Sequence, residues 1–438
     1  MPSAPAPAAT ATPTPTASPT PLARRQATGD RRQALLAPTI TPTPTPTDTA
    51  TPPPVPTIVA PTATRLPAAT VNPADATAEA AITPRAARAP RDPSYEVGAY
   101  YFSGWSHGPN DNLNPLLMRR YQTSEPLIGW YDDTQAAVDQ SIAQAADAGI
   151  DFFAFDWYDI ARSPYPTDRT LNEGLTFYLS SAQRYRLKFC LLYADHAPFL
   201  PLASEWPGLI DTWIWYFKQP DYVRVAGKPL FIVFNPDNLR QIFGSSAGVH
   251  AALDLLRARA RAAGLSGVAV AAAAAVPPHA NPTHAQQLIA DGYDLMTGYN
   301  YRGMGGERYN VPAPYRDLVD ENVAMWDRVA AQIHVPYMPV ITSGFDLRYS
   351  IRDQQNAIIY AGRTPRQFAC YAVLARHWID THSAQTTQER VVLVYAWTEI
   401  GEGGAIIPSR GDGYAYAYAV RTVFGGPGQA PTTPPYCS

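Results

Sequence analysis

The chain has 438 residues, 46% of them hydrophobic, and a formal net charge of −3. That length can bury one large core or two smaller ones, and the lack of a basic excess argues against a nucleic-acid partner. No apolar run approaches the ~20 residues that a membrane helix needs, so no membrane-spanning segment is expected.

Residues 1 to about 93 are mostly Pro, Thr and Ala, as in "TATPTPTASPTP" and "TITPTPTPTDTATPPPVPT". Proline removes backbone donors and fixes φ, and the segment has too little periodic apolar surface to offset the entropy of ordering it. It reads as a disordered, polyproline-like tether. Stalks of this composition are common on exported proteins, which points to an extracellular or cell-surface location. A basic start followed by an apolar segment, the usual export signal, is not visible in "MPSAPAPAATATPTP".

From Tyr95 the composition changes, and strand-like runs alternate with helix-like ones. The apolar runs are "VGAYYF" at 97–102, "FFAFDWY" at 152–158, "KFCLLYAD" at 188–195, "PLFIVFN" at 229–235, "VAVAAAA" at 268–274, "DLMTGYN" at 294–300, "YMPVITSG" at 337–344 and "RVVLVYAW" at 390–397. Runs that are apolar throughout are buried on both faces, the mark of parallel strands covered by helices. About eight such β-then-α units over residues 95 to 425 fit a (β/α)8 TIM barrel, followed by a tail at 426–438. A doubly wound open sheet is the alternative, but "YYFSGWSHG" after the first strand is not a phosphate-binding glycine loop.

In such a barrel the site lies at the carboxyl ends of the strands. Those ends carry Tyr101, Trp105 and His107; Asp156, Trp157 and Tyr158; Asp195 and His196; Asn235; Tyr299, Asn300 and Tyr301; Ser343; and Trp397, Glu399 and Glu402. Aromatic faces with a few polar groups and acids are what a carbohydrate cleft needs, so carbohydrate is the expected partner. Each candidate has a plainer reading. Two glutamates in "TEIGEGG" are often solvated surface; an acid ending an apolar run, as Asp156 does, can serve only as a structural hydrogen-bonding group; and His196 can be a support behind the cleft. His279 and His284, in a Pro/Asn loop, read as solvated, and Tyr414, Tyr416 and Tyr418 as packing or surface.

No H-E-x-x-H motif, cysteine cluster or G-x-S-x-G elbow occurs, so no metal, no cofactor and no serine nucleophile are expected. Cys190, Cys370 and Cys437 have no zinc or disulfide-framework spacing and read as buried or incidental thiols.

The segments "VGAYYFSGW", "PLIGWYDD", "AADAGIDFFAFDWYD" and "YAWTEIGEGGAIIPSRGDGYAYAYAVRTVF" together resemble the glycoside hydrolase family 99-like group, which includes the WbsX-type proteins often labelled glycosyltransferases. The resemblance implies a (β/α)8 barrel with a pattern like N-E-W-x-E-G at its last strand, and retaining, endo-acting hydrolysis of α-mannosides. It assigns Glu399 as the base that deprotonates the sugar's own 2-hydroxyl, giving a 1,2-anhydro intermediate, and Glu402 as the acid that protonates the leaving oxygen. Thr398 stands where the family pattern has Asn, and Ile400 where it has Trp. The activity expected is cleavage of an α-linked, mannan-like polysaccharide. The alternatives are a WbsX-type transferase in polysaccharide assembly and a non-catalytic carbohydrate-binding protein on a stalk.

Overall fold

Strands with no polar face must pair along both edges and be covered on both sides, and the eight apolar runs satisfy this by closing on one another. The computed structural model of the chain describes residues 92–105, 115–130, 133–277, 282–304, 308–350 and 356–425. The tether up to residue 91, the tail 426–438, His107, His279 and Cys437 lie outside the described residues.

The strands are β1 (Glu96–Tyr101), β2 (Phe152–Trp157), β3 (Lys188–Tyr193), β4 (Lys228–Val233), β5 (Ala269–Ala273), β6 (Leu295–Thr297), β7 (Val340–Thr342) and β8 (Val391–Tyr395). All are parallel and neighbour one another in chain order, and β1 pairs with both β2 and β8. The seam between β6 and β7 is made by a parallel bridge from Met296 to Tyr337. There the Met296 N–H donates to the Pro336 carbonyl at 3.0 Å and the Met338 N–H to the Met296 carbonyl at 2.9 Å.

Main helices follow the strands: α1 (Gln135–Asp147), α2 (Glu173–Ser180), α3 (Trp206–Phe217), α4 (Ser246–Ala262), α5 (Pro282–Ala290), α6 (Tyr315–Gln332), α7 (Pro365–Thr381) and α8 (Ala415–Phe424). Their starts obey local chemistry. The Thr134, Ser245 and Thr364 side chains each accept a backbone N–H of the first turn, at α1, α4 and α7. Asp92, which composition alone assigns to the tether, is fastened to the barrel: its N–H donates to the Phe424 carbonyl at 3.0 Å, and Arg376 bonds its carboxylate at 3.1 Å. Cys370 on α7 corrects the thiol reading, since it is disulfide-bonded, whereas Cys190 is a buried free thiol on β3. Among the described residues no helix is long and apolar enough to cross a membrane.

Strand parity sorts the aromatic residues between two layers, because successive side chains point to opposite faces. Tyr100 faces the barrel interior, donating to the Gly298 carbonyl at 2.6 Å and packing on Tyr299. Tyr101 turns outward, donating to Asp133 at 2.9 Å and packing on Phe153 and Phe155. Trp157 likewise lies outside, against Tyr193 and Trp213 of α3. Tyr301 pins the β6–β7 seam: its hydroxyl meets the carbonyls of Ala274 and Thr297 and, at 2.8 Å, the Tyr337 hydroxyl.

Tyr301→Phe should therefore leave the buried Tyr337 hydroxyl without its partner and cost about 1–3 kcal/mol. Urea unfolding monitored by tryptophan fluorescence would measure the loss.

Candidate active site

The segment after β8 is held too tightly to move its acids freely. The Ala396 N–H donates to the Gly404 carbonyl at 2.8 Å, Gly404 N–H to the Glu399 carbonyl at 2.9 Å, and Asp346 N–H to the Glu402 carbonyl at 2.7 Å. The Ser343 hydroxyl adds a bond to the Gly404 carbonyl at 2.5 Å. Thr398, the residue that replaces asparagine in the family pattern, accepts the Phe102 N–H at 2.9 Å and donates to the Phe102 carbonyl at 2.8 Å, sewing the exit of β8 to that of β1. Ile400 is buried in the core, and Gly403 completes the turn at φ +66. A Cβ on Gly404 would stand 2.3 Å from the Tyr395 ring, so that ring lies directly against this backbone.

Glu399 and Glu402 each rest on a tyrosine hydroxyl. Tyr299 lies 2.7 Å from Glu399 Oε1 and 2.6 Å from Asp156 Oδ2, which brings a third carboxyl into the same cluster. Tyr395 donates to Glu402 Oε2, and Asn300 reaches the same oxygen at 3.4 Å. The two tyrosine rings meet edge to face at 4.9 Å, with Phe234 against the other side of Tyr299. Burial, followed by the nearby carboxylates, pushes both hydroxyls well above their ordinary range, so both remain donors.

The same enclosure acts on the acids. Burial pushes Asp156 up to about 8; the Tyr299 hydrogen bond opposes the rise and the Glu402 charge adds to it. Glu399, 8% exposed, is also raised, first by burial, then by the charges of Glu402 and Asp156. Glu402 is more open and lines a cleft of about 830 Å³ together with Asn235, Tyr299, Asn300, Tyr301 and Arg302. That volume is within the range of small-ligand sites, roughly 300–1,000 Å³.

The structure thus gathers Asp156, Tyr299, Asn300, Glu399 and Glu402 at one mouth, with Tyr158 beside them, whose hydroxyl is pushed up by burial and then by the charges of all three acids. Trp105 is buried with its ring edge against the acid loop at Gly401, while Trp397 packs on Phe153 away from the cleft. Asp195 is fully buried and structural in its contacts: Oδ1 accepts the Asn235 N–H at 2.6 Å, and its carbonyl accepts from Asn238. Asn235 caps the short helix Pro236–Phe243, and His196 packs between Tyr158, Phe199 and Phe234. Tyr101 and Trp157 do not reach the cleft.

Several residues here were not singled out from the sequence. Tyr100, Phe234 and Tyr395 were missed: Tyr100 and Phe234 lie one residue before the candidates Tyr101 and Asn235, and Tyr395 two before Trp397, so the alternation of faces along each strand was the available signal. Arg302, its guanidinium 5.1 Å above the Phe345 ring, lines the cleft. His284 corrects the solvated reading, since it is half-buried in the first turn of α5, close to the Ala275 carbonyl at 3.1 Å, and lines the cleft. Tyr416 is buried under Arg363, while Tyr414 and Tyr418 stack on each other. Among the described residues no cluster of His, Cys, Asp or Glu is arranged to hold a metal ion.

The sequence profile of a family described as "Glycosyltransferase WbsX" matches residues 202–420, half of the chain. Among solved structures, a "Glycoside hydrolase-like protein" aligns with a TM-score of 0.55 at 17% identity, over 80% of this chain and 99% of its own. A GH99 endo-alpha-mannosidase from Bacteroides thetaiotaomicron aligns with a TM-score of 0.49 at 13% identity, over 74% and 95%. At 17% identity the first of these likenesses shows the barrel fold. No curated protein matches the chain.

The buried acids give stability a sign with pH. The unfolded Asp156 ionises near its ordinary value of 3.8, whereas the folded one holds its proton to about 8. Its contribution is therefore fully present below about pH 4 and is lost as pH rises towards 8. Asp156→Asn should narrow the difference in Tm between pH 5 and pH 8, as read by differential scanning calorimetry.

Proposed function

The chain belongs to the WbsX family, and we propose that it works as a glycoside hydrolase on an α-linked, mannan-like polysaccharide. The observation that carries this reading is the pair Glu399 and Glu402, fixed on one rigid turn at the exit of β8, each on its own tyrosine hydroxyl, with Glu402 opening into the cleft. Glycoside cleavage commonly needs two carboxyl groups in unequal environments. Here one is enclosed and the other faces the cleft.

In this mechanism Glu399 takes the proton of the sugar's 2-hydroxyl, and that oxygen attacks the anomeric carbon to close a 1,2-anhydro ring. Glu402 gives its proton to the leaving oxygen as the glycosidic bond breaks. Water then opens the anhydro ring with the roles reversed, so the configuration is retained. A base for a weakly acidic hydroxyl gains from a raised pKa, because its carboxylate holds a proton more strongly once it has one; burial first, and then the nearby Glu402, supplies that rise at Glu399. The polar groups facing the cleft, among them Asn300 and Arg302, would hold sugar hydroxyls in an endo-acting groove. The disulfide at Cys370 supports action outside the reducing cytoplasm, at the cell surface or beyond it.

The family description favours a second reading, transfer of a sugar during polysaccharide assembly. Incubation with α-mannans and product analysis, with and without nucleotide-sugar donors, separates the two. Donor-independent release of shorter oligosaccharides supports hydrolysis; product formation only with a donor supports transfer; and binding without turnover leaves a carbohydrate-binding protein.

Glu402→Gln should lower kcat on natural α-mannosides by ~10²–10⁴-fold, the range typical of one lost proton transfer, with little change in ligand affinity. Glu399→Gln should be equally severe. Full activity in either variant would remove the assignment.

A further inference from the structure

A hydroxyl carries one proton, yet Tyr299 Oη stands 2.6 Å from Asp156 Oδ2 and 2.7 Å from Glu399 Oε1. The tyrosine can donate to only one of them. Two oxygens this close to a third are favourable only if the other contact also contains a proton, which must then belong to a carboxyl group donating to Oη. The pair therefore shares one proton, and the question is which end carries it.

The surroundings are unequal. Asp156 Oδ1 is enclosed with no hydrogen-bond partner among the described residues, while neither oxygen of Glu399 is enclosed in that way. An ionised Asp156 would leave charge on a buried oxygen without a donor, whereas a protonated one leaves only a neutral carbonyl oxygen there, a much smaller cost. The groups that face Asp156 do not offset its charge. They are Tyr100 from β1, Tyr299 from the exit of β6, Glu402 and Glu399 from the exit of β8, and Tyr158 from the end of its own strand; among the described residues no lysine, arginine or histidine acts on it.

We propose that Asp156 holds the proton shared across Tyr299, so that Glu399 is held as a carboxylate accepting the tyrosine's own hydrogen bond. Asp156 is then a positioning residue. It donates through Oδ2 to Tyr299 Oη, the Tyr299 O–H points to Glu399 Oε1, and the charge of the pair sits on the carboxyl group that has no enclosed, unpartnered oxygen. The proton's location stands on this geometry alone, and its catalytic meaning rests on the reading of Glu399 as the base.

The test uses the full chain without carbohydrate, so its outcome is independent of whether mannan is cleaved. Carbon-13 labels at the aspartate γ and glutamate δ positions are followed by NMR as pH rises, with Glu399 identified by its loss in Glu399→Gln and Asp156 by its loss in Asp156→Asn. Glu399 should ionise before Asp156, and its midpoint should move by less than about half a unit in Asp156→Asn, because the neighbour was already neutral. The reverse order, or a fall of about a unit or more in the Glu399 midpoint, overturns the proposal, since it means that a negative charge was removed. Should Asp156→Asn fail to fold, Tyr299→Phe decides. A rise in the Glu399 midpoint is expected when a carboxylate loses its donor, and a fall or no change overturns the assignment.

Discussion

The constraint on which this site depends is the gathering of three carboxyl groups, Asp156, Glu399 and Glu402, on tyrosine hydroxyls and against aromatic rings, with no neutralising cation at Asp156 among the described residues. Acids so placed do not all ionise at the usual carboxylate pH, because burial penalises the charge on Asp156 and Glu399 and a neighbouring carboxylate adds to the penalty. Protons are therefore retained inside the barrel mouth at neutral pH. Tyr299 and Tyr395, themselves held far from ionising, convert that retained charge into directed hydrogen bonds. The proposed transfer of protons between these carboxyl groups and sugar oxygens rests on such an arrangement.

The barrel supplies the rigidity that the arrangement needs. Closely packed acids repel one another, and a mobile loop would relieve the repulsion by swinging one of them into water. The turn from Ala396 to Ile407 is denied that freedom by backbone bonds to itself, by Ser343 from the exit of β7 and by Thr398 clasping Phe102 at the exit of β1. The replacement of asparagine by Thr398 in the family pattern has a clear physical content here: both sides of its hydroxyl are used in joining two strand ends. Ile400, standing where the pattern has tryptophan, contributes to the core beneath the turn, and the aromatic surface near the acids comes from Trp105, Tyr299 and Tyr395.

Polar function and apolar packing are separated by strand parity. Tyr100, Asp156 and Tyr299 face inward, while Tyr101 and Trp157, one residue away from two of them, anchor the helical layer. At β1 and β2 one residue of the strand end thus faces the barrel interior and the next packs in the helical layer. This is why a list of strand-end residues mixes the two, and why Asp195, chosen from such a list, proves to be a buried tie between the β3 and β4 exits.

The sequence by itself determined the eight strands, their parallel pairing and the end of the barrel at which acids and rings collect. Continuous apolar runs and their spacing are local properties, and a chain cannot bury such runs in many other ways. The motif after β8 was legible for the same reason, since Glu399 and Glu402 lie within four residues of each other. Tertiary structure alone decided that Asp156 joins them, 143 residues from Tyr299 and yet bonded to it, that Tyr395 and Arg302 take part, and that Cys370 is bridged. Those relations are set by barrel closure and by which face of each strand turns inward. Neither can be read from a single segment, because a hydrogen bond between distant residues depends on where the whole chain brings their atoms.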